Sequence, residues 1–249
     1  MIPDFGFYNM DCMEGMKQFP DKYFELAIVD PPYGINIGSE PGGGQQTNHP
    51  VRRKAKRQIQ IGGANPFGGR YKSGGLCKPP KTYKAFDDSH TPDAEYFKEL
   101  ERVAKHRIIW GGNYFLNYLN ATECIIVWDK KRRGLNFADC EVAWTDIKLP
   151  CRIVEFKWNG MLQEDMKDKE FRIHPTQKPV KLYEWLLRHY AKEGDKILDT
   201  HVGSASSLIA CQRLGFRFVG YEIDEDYYKL AKERYERETA QITLFNLNH

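Results

Sequence analysis

Lys196-Ile197-Leu198-Asp199-Thr200-His201-Val202-Gly203-Ser204-Ala205-Ser206-Ser207 decides the fold. The first four residues read as a short buried strand, the next few as a turn of small residues, and the apolar run Leu208–Leu214 as a helix. Arg217–Tyr221 then reads as a second strand, with Glu222 at its end. Strand, turn, helix and strand make a βαβ unit, whose two strands lie parallel. A turn of small residues lets a ligand approach the backbone and aims helix N–H groups at it. Glycine is sparse here, so the turn is a weak phosphate cradle and suits a nucleoside without a pyrophosphate. Glu222 stands nineteen residues beyond Gly203, where a carboxylate is placed for ribose hydroxyls.

Outward from this unit, short apolar runs recur at Gly6–Met10, Phe24–Val29, Arg107–Trp110, Cys124–Trp128 and Cys140–Trp144. Several are unbroken, as strands buried on both faces should be. Helical patterns lie between some of them. Thr91-Pro92 reads as a cap and first helical position ahead of a stripe of Phe97, Leu100, Val103 and Ala104. Val180, Leu182, Trp185, Leu186 and His189 mark a helix after Pro179, and Tyr227, Leu230, Ala231 and Tyr235 mark one beginning near Asp224. The alternation predicts an α/β fold with a doubly wound, mostly parallel sheet of seven strands. Two segments break the rhythm. Residues 38–85 are rich in glycine and proline and far longer than an ordinary βα connection. Residues 241–249 read as a tail after a charged helix.

The 249 residues carry 37 basic and 34 acidic side chains, a formal net charge of +3. That small total hides an asymmetry. Between Gly38 and Ala85 stand Arg52, Arg53, Lys54, Lys56, Arg57, Arg70, Lys72, Lys78, Lys81 and Lys84 against the single acid Glu40, so this stretch is +9 and the remainder −6. A basic island on an acidic body points to a polyanion, most simply nucleic acid. No run approaches the ~20 apolar residues of a membrane span, and Met1-Ile2-Pro3-Asp4 lacks the basic start and apolar run of a signal peptide. The six cysteines form no Cys-x-x-Cys pair, which argues against a zinc site or a disulfide framework and places the chain in a reducing cytoplasm.

Asp30-Pro31-Pro32-Tyr33 follows the strand Phe24–Val29 directly, and residues just past strand ends face the ligand crevice of an open α/β sheet. The tetrapeptide offers a carboxylate, a carbonyl freed from helical bonding, a rigid turn and an aromatic face. Those parts suit a planar group bearing an exocyclic amine; a capping aspartate in a plain turn is the alternative. His174-Pro175-Thr176-Gln177-Lys178-Pro179 precedes the next helix, where Lys178 and Thr176 could meet a carboxylate or simply open a helix with a solvated lysine.

The order D-P-P-Y, H-P-T-Q-K-P, D-x-x-x-G-S and a strand ending in Y-E-I-D resembles the amino-methyltransferases of DNA, over residues 5–238. It is similar to their permuted β class, in which the catalytic motif precedes the cofactor motif, and the aspartate at position 30 favours the adenine-N6 type. The resemblance implies a circularly permuted, Rossmann-like methyltransferase domain over 1–240 that uses S-adenosyl-L-methionine on a flipped-out adenine in double-stranded DNA. It implies that Asp30 and the Pro31 carbonyl hold the amine, with Pro32 in the rigid turn, and that Tyr33 stacks on the base. Asp199, Gly203 and Ser204 would border the cofactor's methionine part and Glu222 its ribose. His174, Thr176 and Lys178 would reach its carboxylate, and Asp11 and Cys12 its adenine. Trp110-Gly111-Gly112-Asn113 and Trp128-Asp129-Lys130 would line the base pocket, and Glu141 would do so too or serve as a buried structural acid.

The family's common D-P-F-x-G-S-G-T reads D-T-H-V-G-S-A-S here, with Thr200, His201 and Ala205 as departures and His201 expected to be structural. Sequence recognition is expected in the small segment 150–173, shared with the 38–85 insertion through Arg52, Arg53, Lys54, Lys56, Arg57, Arg70 and Lys72; a flexible basic loop of unspecific affinity is the alternative. Gln241-Ile242-Thr243-Leu244-Phe245 resembles the peptide by which bacterial proteins dock on the replicative sliding clamp, or else folds back on the body. Cytosine-N4 or RNA-base methylation and a catalytically weakened DNA-binding module remain rival functions, as do solitary and restriction-paired roles.

Overall fold

The computed structural model describes residues 5–35, 84, 88–133, 138–159, 162–167 and 169–246. The basic residues 52–57, Arg70 and Lys72 lie outside them. An eight-stranded sheet forms the centre. Its strands are β1 (Gly6–Asn9), β2 (Phe24–Val29), β3 (Ala104–Trp110), β4 (Cys124–Asp129), β5 (Cys140–Thr145), β6 (Arg152–Glu155), β9 (Lys196–Asp199) and β10 (Arg217–Glu222). A separate two-residue hairpin joins β7 (Trp158–Asn159) to β8 (Leu162–Gln163). The order across the large sheet is β1-β10-β9-β2-β3-β5-β4-β6, and every neighbouring pair is parallel except those made by β5. Seven strands were expected. The eighth, β6, is an edge strand whose Ile153 is exposed, so it lacks the apolar run that reveals an interior strand.

Both faces of the sheet are apolar, and alternation assigns each strand residue to one of them. Leu26 and Ile28 of β2, Ile108 and Trp110 of β3 and Ile197 of β9 pack with the helices α3 (Val180–Tyr190), α4 (Ser206–Leu214) and α5 (Glu225–Asn246). Ala27, Val29, Ile109 and Leu198 point the other way, onto α1 (Cys12–Met16) and α2 (Ala94–Val103). The cap of α2 is Asp93, whose carboxylate accepts from Tyr96 N at 3.0 Å; Thr91 and Pro92 stand before it. On α5, Tyr227 and Ala231 are buried as predicted, while Leu230 is 40% exposed. The inward stripe runs one turn further through Arg234 instead, at 0% exposure. Nothing in Gln241–Phe245 breaks a helix, and α5 continues through it to Asn246, so the backbone expected as a tail is helical.

The chain leaves β2 towards β3 on one side and leaves β9 towards β10 on the other. Ligand crevices of open α/β sheets lie at this reversal, beyond the carboxyl ends of the strands. The ladder between β2 and β9 stops at Ala27↔Leu198, short of Val29 and Asp199, which lets the two strand ends part. Asp30 follows one of these ends and Asp199 closes the other. Among the described residues, no helix is long and apolar enough to cross a membrane.

Candidate active site

A cleft of about 1110 Å³ opens over that reversal and is lined from both sides. Its near half is built on β2. The backbone N–H groups of Tyr33 and Gly34 donate to Asp88 Oδ1 at 2.8 and 3.2 Å, which fixes the turn after Pro31-Pro32. The Tyr33 hydroxyl donates to Asp30 Oδ1 at 2.5 Å, and its ring stacks on Tyr114 with centroids 4.9 Å apart and planes 13° from parallel. Gly111 makes this possible. Its φ is +68°, and a Cβ there would stand 2.2 Å from Tyr33 Cε1.

Lys178 arrives from the far side of the cleft. Its buried ammonium pairs with Asp30 Oδ2, donates to the Tyr33 hydroxyl at 3.2 Å and lies 3.4 Å from Glu141 Oε2. Glu141 Oε1 pairs in turn with Lys130, which caps the face of Trp128 at 4.9 Å from the ring centre. Burial alone pulls the Lys178 ammonium downward, but Asp30 and then Glu141 outweigh it, and the net shift is upward. Burial likewise pushes the Glu141 carboxyl up, and the two lysines overturn it to leave a net downward shift. Lys178 and Glu141 thus each favour the charged form of the other. Lys178 was expected at a cofactor carboxylate; two carboxylates already inside the cleft draw it to Asp30 instead.

The far half is built on β9 and β10. Asp199 is buried, accepting from His201 N at 3.0 Å and from the Ser207 hydroxyl at 2.6 Å, and burial pushes its carboxyl up to about 7. Glu222 holds the backbone N–H groups of Gly203 and Asp224 at 3.0 and 2.9 Å, and burial raises its pKa too. Gly203 and Ala205 both adopt left-handed backbone, at φ +56° and +65°. Glycine is absent where Ala205 sits, so the turn carries some strain. His201, expected to be structural, lines the cleft. It meets Tyr96 edge-on at 5.5 Å and Thr200 Oγ1 at 2.9 Å, and burial brings it down to about 4, which keeps it neutral.

Of the residues proposed from sequence, Asp30, Pro31, Pro32, Tyr33, Lys178, His174, Thr176, Gly203, Ser204 and Glu222 line the cleft. Asp199, Asp11 and Cys12 do not. Of the residues expected in the base pocket, Gly111, Asn113, Trp128, Lys130 and Glu141 line the cleft, and Trp110, Gly112 and Asp129 do not. Asp11 caps α1 through Met13 N at 2.8 Å, and β1 delivers it beside β10, where Asn9 Nδ2 donates to the Glu222 carbonyl at 2.7 Å. Burial, with Asp11 adding to it, pushes the Cys12 thiol up to about 12, so it stays protonated. His174 Nδ1 lies 2.9 Å from Thr176 Oγ1, and burial followed by Arg172 and Lys178 lowers its pKa to about 3. Asp88, Tyr114 and Arg234 carried no sequence signal. Arg234 ties the turn after β9 to Glu170: Nη1 donates to the Ser204 carbonyl at 2.7 Å and to Ser206 Oγ at 2.9 Å, and Nη2 to Glu170 Oε2 at 2.7 Å.

The cleft lies at a strand-order reversal, with the Asp30-Pro31-Pro32-Tyr33 turn at one strand end and the Glu222 carboxylate at another, where open α/β sheets bind their ligands. A family model described as DNA methylase, of the N6/N4 type, matches residues 93–233. The chain belongs to this DNA methylase family. It is 27% identical over 254 aligned residues to the Type II methyltransferase M2.DpnII of Streptococcus pneumoniae, covering 92% of this chain and 89% of that one. The Type II methyltransferase M2.LlaDCHI of Lactococcus lactis subsp. cremoris is 25% identical over 246 residues, covering 91% and 87%. Among solved structures, PvuII DNA methyltransferase, which is cytosine-N4-specific, aligns with a TM-score of 0.54 at 12% identity, covering 96% of this chain and 92% of that one. The M1.HpyAVI–SAM complex aligns with a TM-score of 0.51 at 17% identity, covering 92% and 98%. At those identities the structural likeness speaks for the fold.

Proposed function

We propose that the chain is a DNA adenine-N6 methyltransferase of the permuted β class that uses S-adenosyl-L-methionine. One observation carries this: Asp30-Pro31-Pro32-Tyr33 at the end of β2 opens into the same cleft as Gly203, Ser204 and Glu222 at the ends of β9 and β10. The residues of the far half fit the cofactor. A Cβ built on Gly203 meets nothing nearer than the His201 carbonyl at 3.9 Å, so the turn leaves room for a ligand against its backbone. Glu222, oriented by two amides, is an acceptor for paired hydroxyls. His174 and Thr176 face the methionine end, while Lys178 belongs to the amine end. When bound, S-adenosylmethionine supplies an electrophilic methyl group on sulfur.

The chain's own residues do the rest. An adenine amine is a weak nucleophile because its lone pair is delocalised into the ring. Accepting its hydrogens at Asp30 and at the Pro31 carbonyl concentrates that lone pair on nitrogen, and Tyr33 and the pocket walls hold it in line. Extruding the base from the duplex costs a few kcal/mol, partly offset by stacking. The permuted order gives a single domain over 1–240. The 150–173 segment and the basic 38–85 stretch are assigned to DNA contact. Sequencing modified bases in DNA from cells expressing the chain beside an Asp30→Ala control tests the proposal. N6-methyladenine at one sequence, absent from the control, is expected; N4-methylcytosine would move the chain to the other branch of its family, and no modified base would leave a DNA-binding module.

A further inference from the structure

Taking the site as an amine methyltransferase, Asp30 has a difficulty: both its oxygens are engaged, Oδ1 by the Tyr33 hydroxyl at 2.5 Å and Oδ2 by the Lys178 ammonium. Each oxygen keeps a second lone pair, so an incoming amine N–H competes with these donors for the charge of Asp30, and one of them gives way. Tyr33 is held between Gly111 and Tyr114, whereas Lys178 carries its charge on a four-carbon stem. The displaced ammonium cannot go to water. It is buried, and its other neighbours are the rings of Trp110 and Tyr33, at 5.5 and 5.6 Å. Leaving it unpaired there would be strongly unfavourable.

One acceptor stands ready. Glu141 Oε2 is buried and makes no hydrogen bond among the described residues, and it faces the Lys178 ammonium across 3.4 Å. Charge-assisted contacts close to about 2.8 Å, so a shift of about 0.6 Å seats the ammonium on Glu141 and loosens its contact with Asp30. Lys130 holds the other oxygen, and the register Trp128↔Glu141 between β4 and β5 sets where the carboxylate sits. We propose that Glu141 is a positioning residue that receives the Lys178 ammonium when the substrate amine takes Asp30. Lys130 holds Glu141 in place for that exchange. The catalytic carboxylate thus has a stand-in donor before substrate arrives, and the cleft has a second carboxylate to take that donor over.

This rests on the amine reading of the site, and the test separates the two. Transfer of labelled methyl from S-adenosylmethionine to unmethylated phage DNA is measured for the full wild-type chain, Glu141→Gln, Lys178→Met and the double variant. Glu141→Gln is expected to lower kcat roughly 10- to 100-fold, with the KM for S-adenosylmethionine within about twofold of wild type. In the Lys178→Met background no ammonium needs a receiver, so adding Glu141→Gln is expected to cost nothing further. Should Glu141→Gln fail to fold, Glu141→Asp, with its charge drawn back by one methylene, is expected to lower kcat several-fold. A kcat for the folded Glu141 variant within twofold of wild type, or full additivity in the double variant, overturns the inference alone. A wild-type chain that methylates no DNA overturns the amine reading and this inference with it.

Discussion

The two halves of the cleft hold their carboxylates in opposite ways. Beside β9 and β10, Asp199 and Glu222 accept from the backbone N–H groups of His201, Gly203 and Asp224, with the Ser207 hydroxyl added at Asp199. At the end of β2 and on β5, Asp30 and Glu141 are held, among the described residues, by side chains alone: the Tyr33 hydroxyl and the ammonium groups of Lys178 and Lys130. Backbone amides are fixed in the turns that follow the strands and cannot be dealt out again. Lysines on flexible stems can. On the proposed function, the half that would take the nucleoside is therefore preorganised, and the half that would take the amine is arranged for an exchange of partners. That division suits a reaction in which the same nucleoside cofactor binds in every cycle while a base must be admitted, reacted and released.

The sharpest way to break this comparison is at Asp30. Asp30→Ala is expected to lower methyl transfer to DNA by about a hundred- to a thousand-fold, leaving S-adenosylmethionine binding by calorimetry close to wild type. A parallel loss of cofactor affinity would show that the halves are not separable. Next in size is Gly111→Ala. It puts a methyl group into left-handed backbone at φ +68° and 2.2 Å from the Tyr33 ring, and is expected to cost about 3 kcal/mol of stability, read by urea unfolding, with methyl transfer falling as Tyr33 is pushed aside. Unchanged stability and activity would mean that the ring is not held by this close approach.

What the sequence shows and what it hides follow the same division. The far half is local: strand, small-residue turn, helix and the acid at the next strand end lie within Lys196–Glu222, and periodicity exposes them. The D-P-P-Y turn is legible for the same reason. The ammonium partner of Asp30 is not. Lys178 is 148 positions away in sequence, and its own motif suggested a solvated or cofactor-facing lysine. Nothing in Glu141 or Lys130 alone marks two ends of one ion pair; only the antiparallel β4–β5 register brings them together. Arg234 reads as one more charge on a charged helix, yet it is fully buried on Glu170 and Ser204. Edge strand β6 escaped because a half-exposed strand carries no apolar run, and Leu230 misled because the inward stripe of α5 passes one residue to its side.

Within the nucleoside half, smaller effects sharpen the contrast. Glu222→Gln sets an amide N–H₂ against one of the two backbone donors that orient the carboxylate. It is expected to weaken S-adenosylmethionine binding about tenfold in calorimetry, with kcat at saturating cofactor little changed; a fall in kcat instead would place Glu222 nearer the chemistry than the geometry does.

Asp199 gives the finest test, because its charge and its position can be separated. Burial pushes its carboxyl up to about 7, against 3.8 for an ordinary aspartate, despite the Ser207 and His201 donors. Between those two values the folded chain keeps a proton that the unfolded chain has released. Asp199 therefore contributes stability that is fully present below about pH 4 and is lost as pH rises through 7, by at most about 1.4 kcal/mol per pH unit. Asn at this position keeps an oxygen for His201 N and turns an N–H to the Ser207 hydroxyl, which can accept as well as donate. Unfolding free energies of Asp199→Asn minus wild type, measured by urea from pH 5 to 8, are expected to rise by about 1 kcal/mol per pH unit up to 7 and then level off. His201, held down near 4 by burial, titrates in part of the same interval with the opposite sign, but it is common to both chains and cancels in the difference. Parallel profiles would mean that Asp199 is ionised throughout, its charge carried by two fixed donors alone. The nucleoside half would then hold an unpaired buried anion where the amine half needs two lysines to do the same.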